Sequence, residues 1–310
     1  MEHERRERAR YEERMETMPG KTALILSGGG AKGAFECGAE KYAREVKGYQ
    51  WDIIAGVSVG ALNGAMLAMK KYDRLFEIWN TVSDDKVYTG GFNLWSGFKL
   101  LFGAKSFYGN DPLRRMLVQE FEAGQFKVDL RVGAVSLLTG EYTQFKPDMP
   151  SFSEAVLAST VMPIIWEPLD LAPEYRSMVD GGVRNISPLG DILDEDPDEI
   201  IIINCNPAIF GPLPNPPKDI LKIGLRTLDI LLDEVFRGDL EEFLRINALV
   251  KEAESLGFKL HHPTSGKELK FFDAKVIEPL SPLGETLDFS QASVQRSLNY
   301  GWERAKAVLG

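Results

Sequence analysis

The residue with the most chemical promise in this chain is a serine. Ser58 stands in Gly56-Val57-Ser58-Val59-Gly60, with one glycine two positions before it and another two positions after. Asp52 to Ala55 reads as the start of a short apolar strand, and Ala61 to Met69 as a small-residue helix. A G-x-S-x-G sequence where a strand turns abruptly into a helix is the pattern of a nucleophile elbow. The glycines make room for the tight turn, and the strained backbone leaves the hydroxyl accessible. A serine at such a junction also suits plain helix capping. The rest of the chain has to supply an anion site and a base.

The anion site has one evident source, Gly28-Gly29-Gly30-Ala31-Lys32-Gly33, which follows the apolar run Thr22 to Leu26. As a phosphate-binding P-loop it fails, because Ala34-Phe35 stands where Lys-Ser/Thr is required. As a dinucleotide fingerprint it fits G-x-G-x-x-G, and Asp52 lies at about the expected distance. The ribose-binding acid, however, belongs at the carboxyl end of the second strand, and Asp52 opens that strand. As an oxyanion hole it offers glycine N–H donors at a helix N-terminus, with Lys32 as a further positive charge.

Two kinds of base are open to Ser58. A Ser-Asp-His triad needs a histidine, and the chain has three: His3 in a charged tail, and His261 and His262 in a polar turn. The last two follow a candidate aspartate in the order found in α/β-hydrolases. The other candidate is a carboxylate acting directly. Asp180 closes the strand-like run Ser177-Met178-Val179 and precedes Gly181-Gly182, which also reads as an ordinary D-G turn.

The elements that position these groups follow from periodicity. Strand Thr22–Leu26, the glycine loop, a helix from Ala34 to about Val46 and the strand at Asp52 make a βαβ unit, hence parallel neighbouring strands. The glycine loop and Ser58 should therefore emerge at one sheet edge. Ile200 to Cys205 is another buried strand, and Val128–Val135 with Tyr142–Phe145 reads as an antiparallel pair. Helices are expected over Tyr72–Val82, Pro112–Glu122, Ser153–Ser159, Leu189–Leu193, Asp219–Arg237, Leu240–Leu256 and Gln291–Val308. The aromatic segment between Val87 and Gly109 either packs on the core or forms a lip beside an apolar site.

The totals narrow the function classes. With 310 residues, 44% hydrophobic and 26% charged, the chain has soluble globular composition. A net charge of −10 with no concentrated basic stripe argues against nucleic acid and against strong electrostatic adhesion to anionic lipid. A local apolar membrane contact stays open. Cys37 and Cys205 fall in apolar elements and are expected as buried reduced thiols. The sequence shows no apolar run of membrane-spanning length and no signal-peptide core, so a cytoplasmic site is expected.

Four segments in order resemble those of the patatin-like phospholipase family: the 28–33 glycine loop, the 56–60 elbow, Ala158-Ser159-Thr160-Val161-Met162-Pro163, and Asp180-Gly181-Gly182. Ser106 to Leu117 is similar to a further stretch of that family. The resemblance runs clearly from Lys21 to Asn206 and more loosely from Asp273 onward. It implies an α/β fold, a three-layer α/β/α sandwich with a mainly parallel central sheet. It also implies a Ser58–Asp180 dyad that uses no histidine, with Gly28, Gly29, Gly30 and Lys32 at the oxyanion hole. The expected reaction is hydrolysis of fatty-acyl esters of lipids, of phospholipase A or lysophospholipase type, with no metal or organic cofactor. The expected partners are the lipid substrate and, transiently, a membrane surface. Residues 1–20 are expected to be a charged helical or disordered extension, and 21–310 one hydrolase domain. The alternatives are a Ser58-Asp180-His261/His262 esterase and a nucleotide-binding protein using the 28–33 loop.

Overall fold

A computed structural model of the protein describes residues 20–82, 120–121, 125–163, 165–207, 211–213 and 215–310. The charged extension to residue 19, the aromatic segment 87–109, the 106–117 stretch and most of the helix expected at 112–122 lie outside the described residues.

Among the described residues seven strands form one sheet: β1 Thr22–Leu26, β2 Ile53–Gly56, β3 Asp129–Ser136, β4 Tyr142–Phe145, β5 Met178–Asp180, β6 Glu199–Ile203 and β7 Asp273–Ile277. Their order is β4-β3-β2-β1-β6-β7, with β5 also on β3. The run β3-β2-β1-β6-β7 is parallel, and β4 and β5 join β3 antiparallel.

The helices are α1 Ala34–Glu45, α2 Val59–Ala68, α3 Tyr72–Thr81, α4 Phe152–Ser159, α5 Gly190–Leu193, α6 Ile220–Ser255 and α7 Gln291–Leu309. They cover both faces of the sheet, because alternate strand residues point to opposite sides. Leu24, Leu26, Ile54, Ile201 and Ile203 pack toward α1, α2 and α7. Ala23, Ile25, Ile53, Ile200 and Ile202 pack with Ile192 of α5 and with Phe236 and Leu240 of α6. Burial on both faces is why β1 and β6 read as unbroken apolar runs rather than alternating ones. The result is the mainly parallel α/β/α sandwich.

Two elements differ from the sequence reading. Helix α6 is one continuous 36-residue helix, where a break was expected between Arg237 and Leu240. An internal glycine costs a helix only about 1 kcal/mol, and Gly238 is bracketed by buried Phe236 and Leu240 and by the Arg237–Asp233 ion pair at 2.9 Å. Strand β7 was not anticipated, because its sequence Asp-Ala-Lys-Val-Ile mixes charge with apolar residues. It is the outer neighbour of β6, and Lys275 there pairs with Glu199 and Tyr49. Among the described residues no helix is long and apolar enough to cross a membrane.

Candidate active site

The site forms at the carboxyl ends of the parallel strands. Leu26 pairs with Gly56, so the loop leaving β1 and the elbow leaving β2 start level and side by side. Ser58 adopts φ 55° and ψ −131°, a region that costs a non-glycine residue about 1–3 kcal/mol and persists only where neighbours enforce it. The enforcement is visible. A side chain at Gly60 would collide with the Leu26 and Ser27 carbonyls, so the first turn of α2 can lie directly on the end of β1. The Ser58 N–H donates to Ser159 Oγ at 2.9 Å, in a fully buried position.

Asp180 reaches Ser58 through sheet register. Gly56 of β2 pairs with Val132 of β3. Ala134, two residues further along β3, pairs with Asp180 of β5. Strand β5 thus takes up the edge of β3 that β2 has just vacated, and Asp180 arrives level with a residue two beyond Gly56, which is Ser58. Ser58 and Asp180 line one cavity, and the Ser58 side chain is among the polar groups that hold the Asp180 pKa down against burial. Asp180 Oδ1 accepts the Gly182 N–H at 2.8 Å, and its own N–H donates to the Val161 carbonyl at 2.9 Å.

The end of α4 and the residues just after it therefore hold both, Ser58 through Ser159 and Asp180 through Val161. Residue types alone gave the 158–163 motif no chemistry. Its work is positional, and no signal in the sequence other than its place between elbow and Asp-Gly-Gly pointed there.

Burial dominates the electrostatics of Asp180. Desolvation lifts its pKa from 3.8 to about 7 against the opposing polar groups of Ser58 and Gly182, which puts the carboxylate in the range a general base needs near neutral pH. The glycine loop faces it. The place a side chain would occupy on Gly28 lies 3.0 Å from Ser58 Cβ, so only glycine lets the loop come this close. Among the described residues no acceptor is found for the N–H groups of Gly28, Gly29 and Gly30. The loop is tethered by Ala31 N–H to the Thr286 carbonyl at 2.8 Å. Lys32 is buried, with Nζ 3.6 Å from Asp229 and 3.5 Å from Asn206.

A buried polar cluster ties loop to elbow. Asn63 of α2 donates to the Gly33 carbonyl at 3.0 Å and to Glu36 of α1 at 2.8 Å, and accepts from the Trp79 indole at 3.0 Å. Full burial pushes Glu36 up to about 8, so it stays protonated at neutral pH. Cys37 and Cys205 are buried and free, and burial raises both thiols.

Two cavities open from Ser58. One, of about 20 Å³, is lined by Gly28, Gly29, Lys32, Ser58 and Asp180. The other, of about 90 Å³, runs between Ser58 and an apolar wall that includes Leu62, Met66, Leu75, Trp79 and Phe289.

The other sequence candidates fall elsewhere. His261 and His262 are exposed, and His262 Nδ1 accepts from the N–H groups of Thr264 and Ser265. Neither lines a cavity with Ser58. Their turn leads into the start of β7, at the amino ends of the parallel strands, whereas Ser58 lies at the carboxyl ends, so the triad does not assemble. Asp52 likewise accepts from Thr22 N–H at the amino ends of β1 and β2, at 2.8 Å, and does not face the glycine loop as a ribose ligand would. Among the described residues no cluster of three or more His, Cys, Asp or Glu side chains is placed to hold a metal ion.

Residues 24–193 match the family model described as Patatin-like phospholipase. The chain belongs to the patatin-like phospholipase family. Among solved structures, it is similar to VipD from Legionella pneumophila at 15% identity, covering 94% of this chain and 66% of that one, with a TM-score of 0.46. It is also similar to the type III effector protein ExoU at 13% identity, covering 93% and 52%, with a TM-score of 0.39. This patatin-like chain thus spans about two thirds of the length of VipD and about half of ExoU. No curated protein matches its sequence.

Proposed function

We propose that this patatin-like protein is a serine hydrolase of fatty-acyl lipid esters, of phospholipase A or lysophospholipase type, working through Ser58 and Asp180. The observation that carries the reading is that Ser58 lines one small cavity with a buried Asp180 whose pKa is lifted to about 7, opposite glycine-loop N–H groups that find no acceptor among the described residues. Membership in a family of lipid acyl hydrolases supplies the substrate class.

In this mechanism Asp180 takes the hydroxyl proton as Ser58 Oγ attacks the ester carbonyl. Negative charge develops on the carbonyl oxygen, where the N–H groups of Gly28, Gly29 and Gly30 receive it; one such donor is worth about 2.7–4 kcal/mol in an acyl transfer. Lys32 adds positive potential from within the same cavity. The tetrahedral adduct collapses, Asp180 returns the proton to the leaving alcohol oxygen, and an acyl-Ser58 ester remains. Water, deprotonated by Asp180, then attacks that ester; the fatty acid leaves and the proton returns to Ser58. The cavity of about 20 Å³ beside Asp180 has room for about one water, and the apolar cavity suits the acyl chain.

The test is lipid mass spectrometry after wild type and Ser58→Ala are each incubated with mixed lipid vesicles. Wild type should release free fatty acid and the variant should release none. Equal release by the two proteins would contradict the proposal.

A further inference from the structure

Ser58 stands between two unlike cavities, and the chemistry says which end of an ester enters each. Asp180 has to return its proton to the leaving alcohol oxygen, so the alcohol part lies on the Asp180 side. The small cavity shared by Ser58 and Asp180 is on that side, whereas Asp180 does not line the apolar cavity. The acyl chain therefore takes the apolar cavity and the alcohol takes the other.

The alcohol side continues beyond Asp180. Lys32, Asn206, Asp229 and Thr286 line the small cavity and also an adjoining groove of about 640 Å³, a size suited to a small ligand. One wall of that groove is a single face of α6, where Lys222, Leu225, Arg226 and Asp229 recur at spacings of three and four. Lys218 lines it just ahead of the helix. Arg226 ties the helix to the loop across from it by donating to the Gly211 carbonyl at 2.7 Å.

Charge says what the groove would hold. Its lining carries Lys32, Lys218, Lys222 and Arg226 against Asp229 and Glu285, in a chain of net −10. Asp229 is already engaged, by Lys32 at 3.6 Å and by the Thr286 hydroxyl at 3.1 Å. Asp219 does not line the groove; its carboxylate caps α6 by accepting the Lys222 N–H at 2.8 Å. Among the described residues the side chains of Lys218 and Lys222 form no ion pair. Lys222 stands about 10 Å along α6 from Asp229, so its charge falls beyond the reacting ester. It is placed to hold a group carried by the alcohol. Ammonium groups without a counter-charge on the alcohol side of a lipid ester suit a phosphate.

We propose that this groove is the headgroup subsite, and that Lys218 and Lys222 bind the phosphate of the substrate there. The enzyme then selects acyl esters of a phosphorylated glycerol over neutral glycerides. The assignment rests on the lipid-hydrolase reading. Its residues from Gly211 to Asp229 lie outside the 24–193 stretch that matches the family model, so the subsite is a property of this chain.

Full-length protein is assayed with 1-decanoylglycerol 3-phosphate and with 1-decanoylglycerol, both below micelle-forming concentrations, so that no lipid surface enters the reading. By kcat/KM, wild type should prefer the phosphate-bearing ester at least about tenfold, and Lys218→Glu with Lys222→Glu should remove that preference. Glycerol 3-phosphate should inhibit decanoylglycerol hydrolysis competitively, and at least about tenfold more weakly in the double variant. No preference in wild type, or one that survives the double substitution, would overturn the proposal. Non-competitive inhibition would mark a separate site for free phosphate and would overturn it too. Loss of turnover of both esters in the double variant would show that the lysines support the catalytic fold, with the same consequence. In each of these cases the hydrolase reading stands if Ser58→Ala abolishes decanoylglycerol hydrolysis by otherwise wild-type protein. Hydrolysis of neither ester by wild type would overturn that reading and this assignment together.

Discussion

Replacing Asp180 by asparagine should abolish activity and at the same time stabilise the protein at neutral and alkaline pH. In the folded chain the carboxyl ionises near 7 rather than 3.8, chiefly because it is buried. A raised folded-state pKa means the folded protein holds a proton that the unfolded chain has released. The group's favourable contribution is complete below about 3.8 and is lost as pH rises to about 7, at about 1.4 kcal/mol per pH unit. Between about pH 5 and pH 8 the wild type should lose about 3 kcal/mol from this group. Asparagine carries no such proton, and its Oδ1 can still accept the Gly182 N–H. Glu36, raised to about 8, titrates in both proteins and cancels in the difference. Urea unfolding of both proteins at the two pH values should therefore show the variant gaining on wild type by about 3 kcal/mol on going to the higher pH, while kcat/KM of the wild type climbs through about pH 7 and then levels. A stability gap that does not change with pH would refute the assignment of a desolvated base.

Three further perturbations probe the scaffold. Ser159→Ala leaves the buried Ser58 N–H without an acceptor, a cost of about 1–3 kcal/mol; kcat should fall about tenfold with KM little changed, read by steady-state kinetics. Glu36→Gln keeps a hydrogen-bond partner for Asn63 without a titrating proton, so it should retain activity and resist alkaline unfolding, whereas Glu36→Ala should lose about 1–3 kcal/mol in urea unfolding. Met66→Trp would crowd the apolar cavity of about 90 Å³; turnover of long-chain esters should fall at least about tenfold while acetyl esters are spared, read from an acyl-chain-length series.

The parts of this site that lie on one strand and its following turn were legible in the sequence, because glycine spacing and apolar runs are local signals. The elbow at Ser58, the loop at Gly28 and the strands behind them are of this kind. The approach of Asp180 to Ser58 was legible only through the family's motifs, because it depends on a register along β3 that links Val132 to Gly56 and Ala134 to Asp180. The Ser159 and Val161 contacts were not legible at all, since one hydroxyl and one carbonyl carry no pattern. The same holds for Asn63, whose bonds to Gly33, Glu36 and Trp79 join three separate helices. Helix α6 shows the opposite failure, where a local signal at Gly238 was outweighed by the buried residues on either side.

The most direct test of the central claim is labelling by a long-chain fluorophosphonate, read by intact-protein and peptide mass spectrometry. One adduct should form on wild type and map to Ser58, with none on Ser58→Ala and much slower labelling of Asp180→Asn. An adduct on another residue, or equal labelling of Ser58→Ala, would contradict the assignment of Ser58 as the nucleophile.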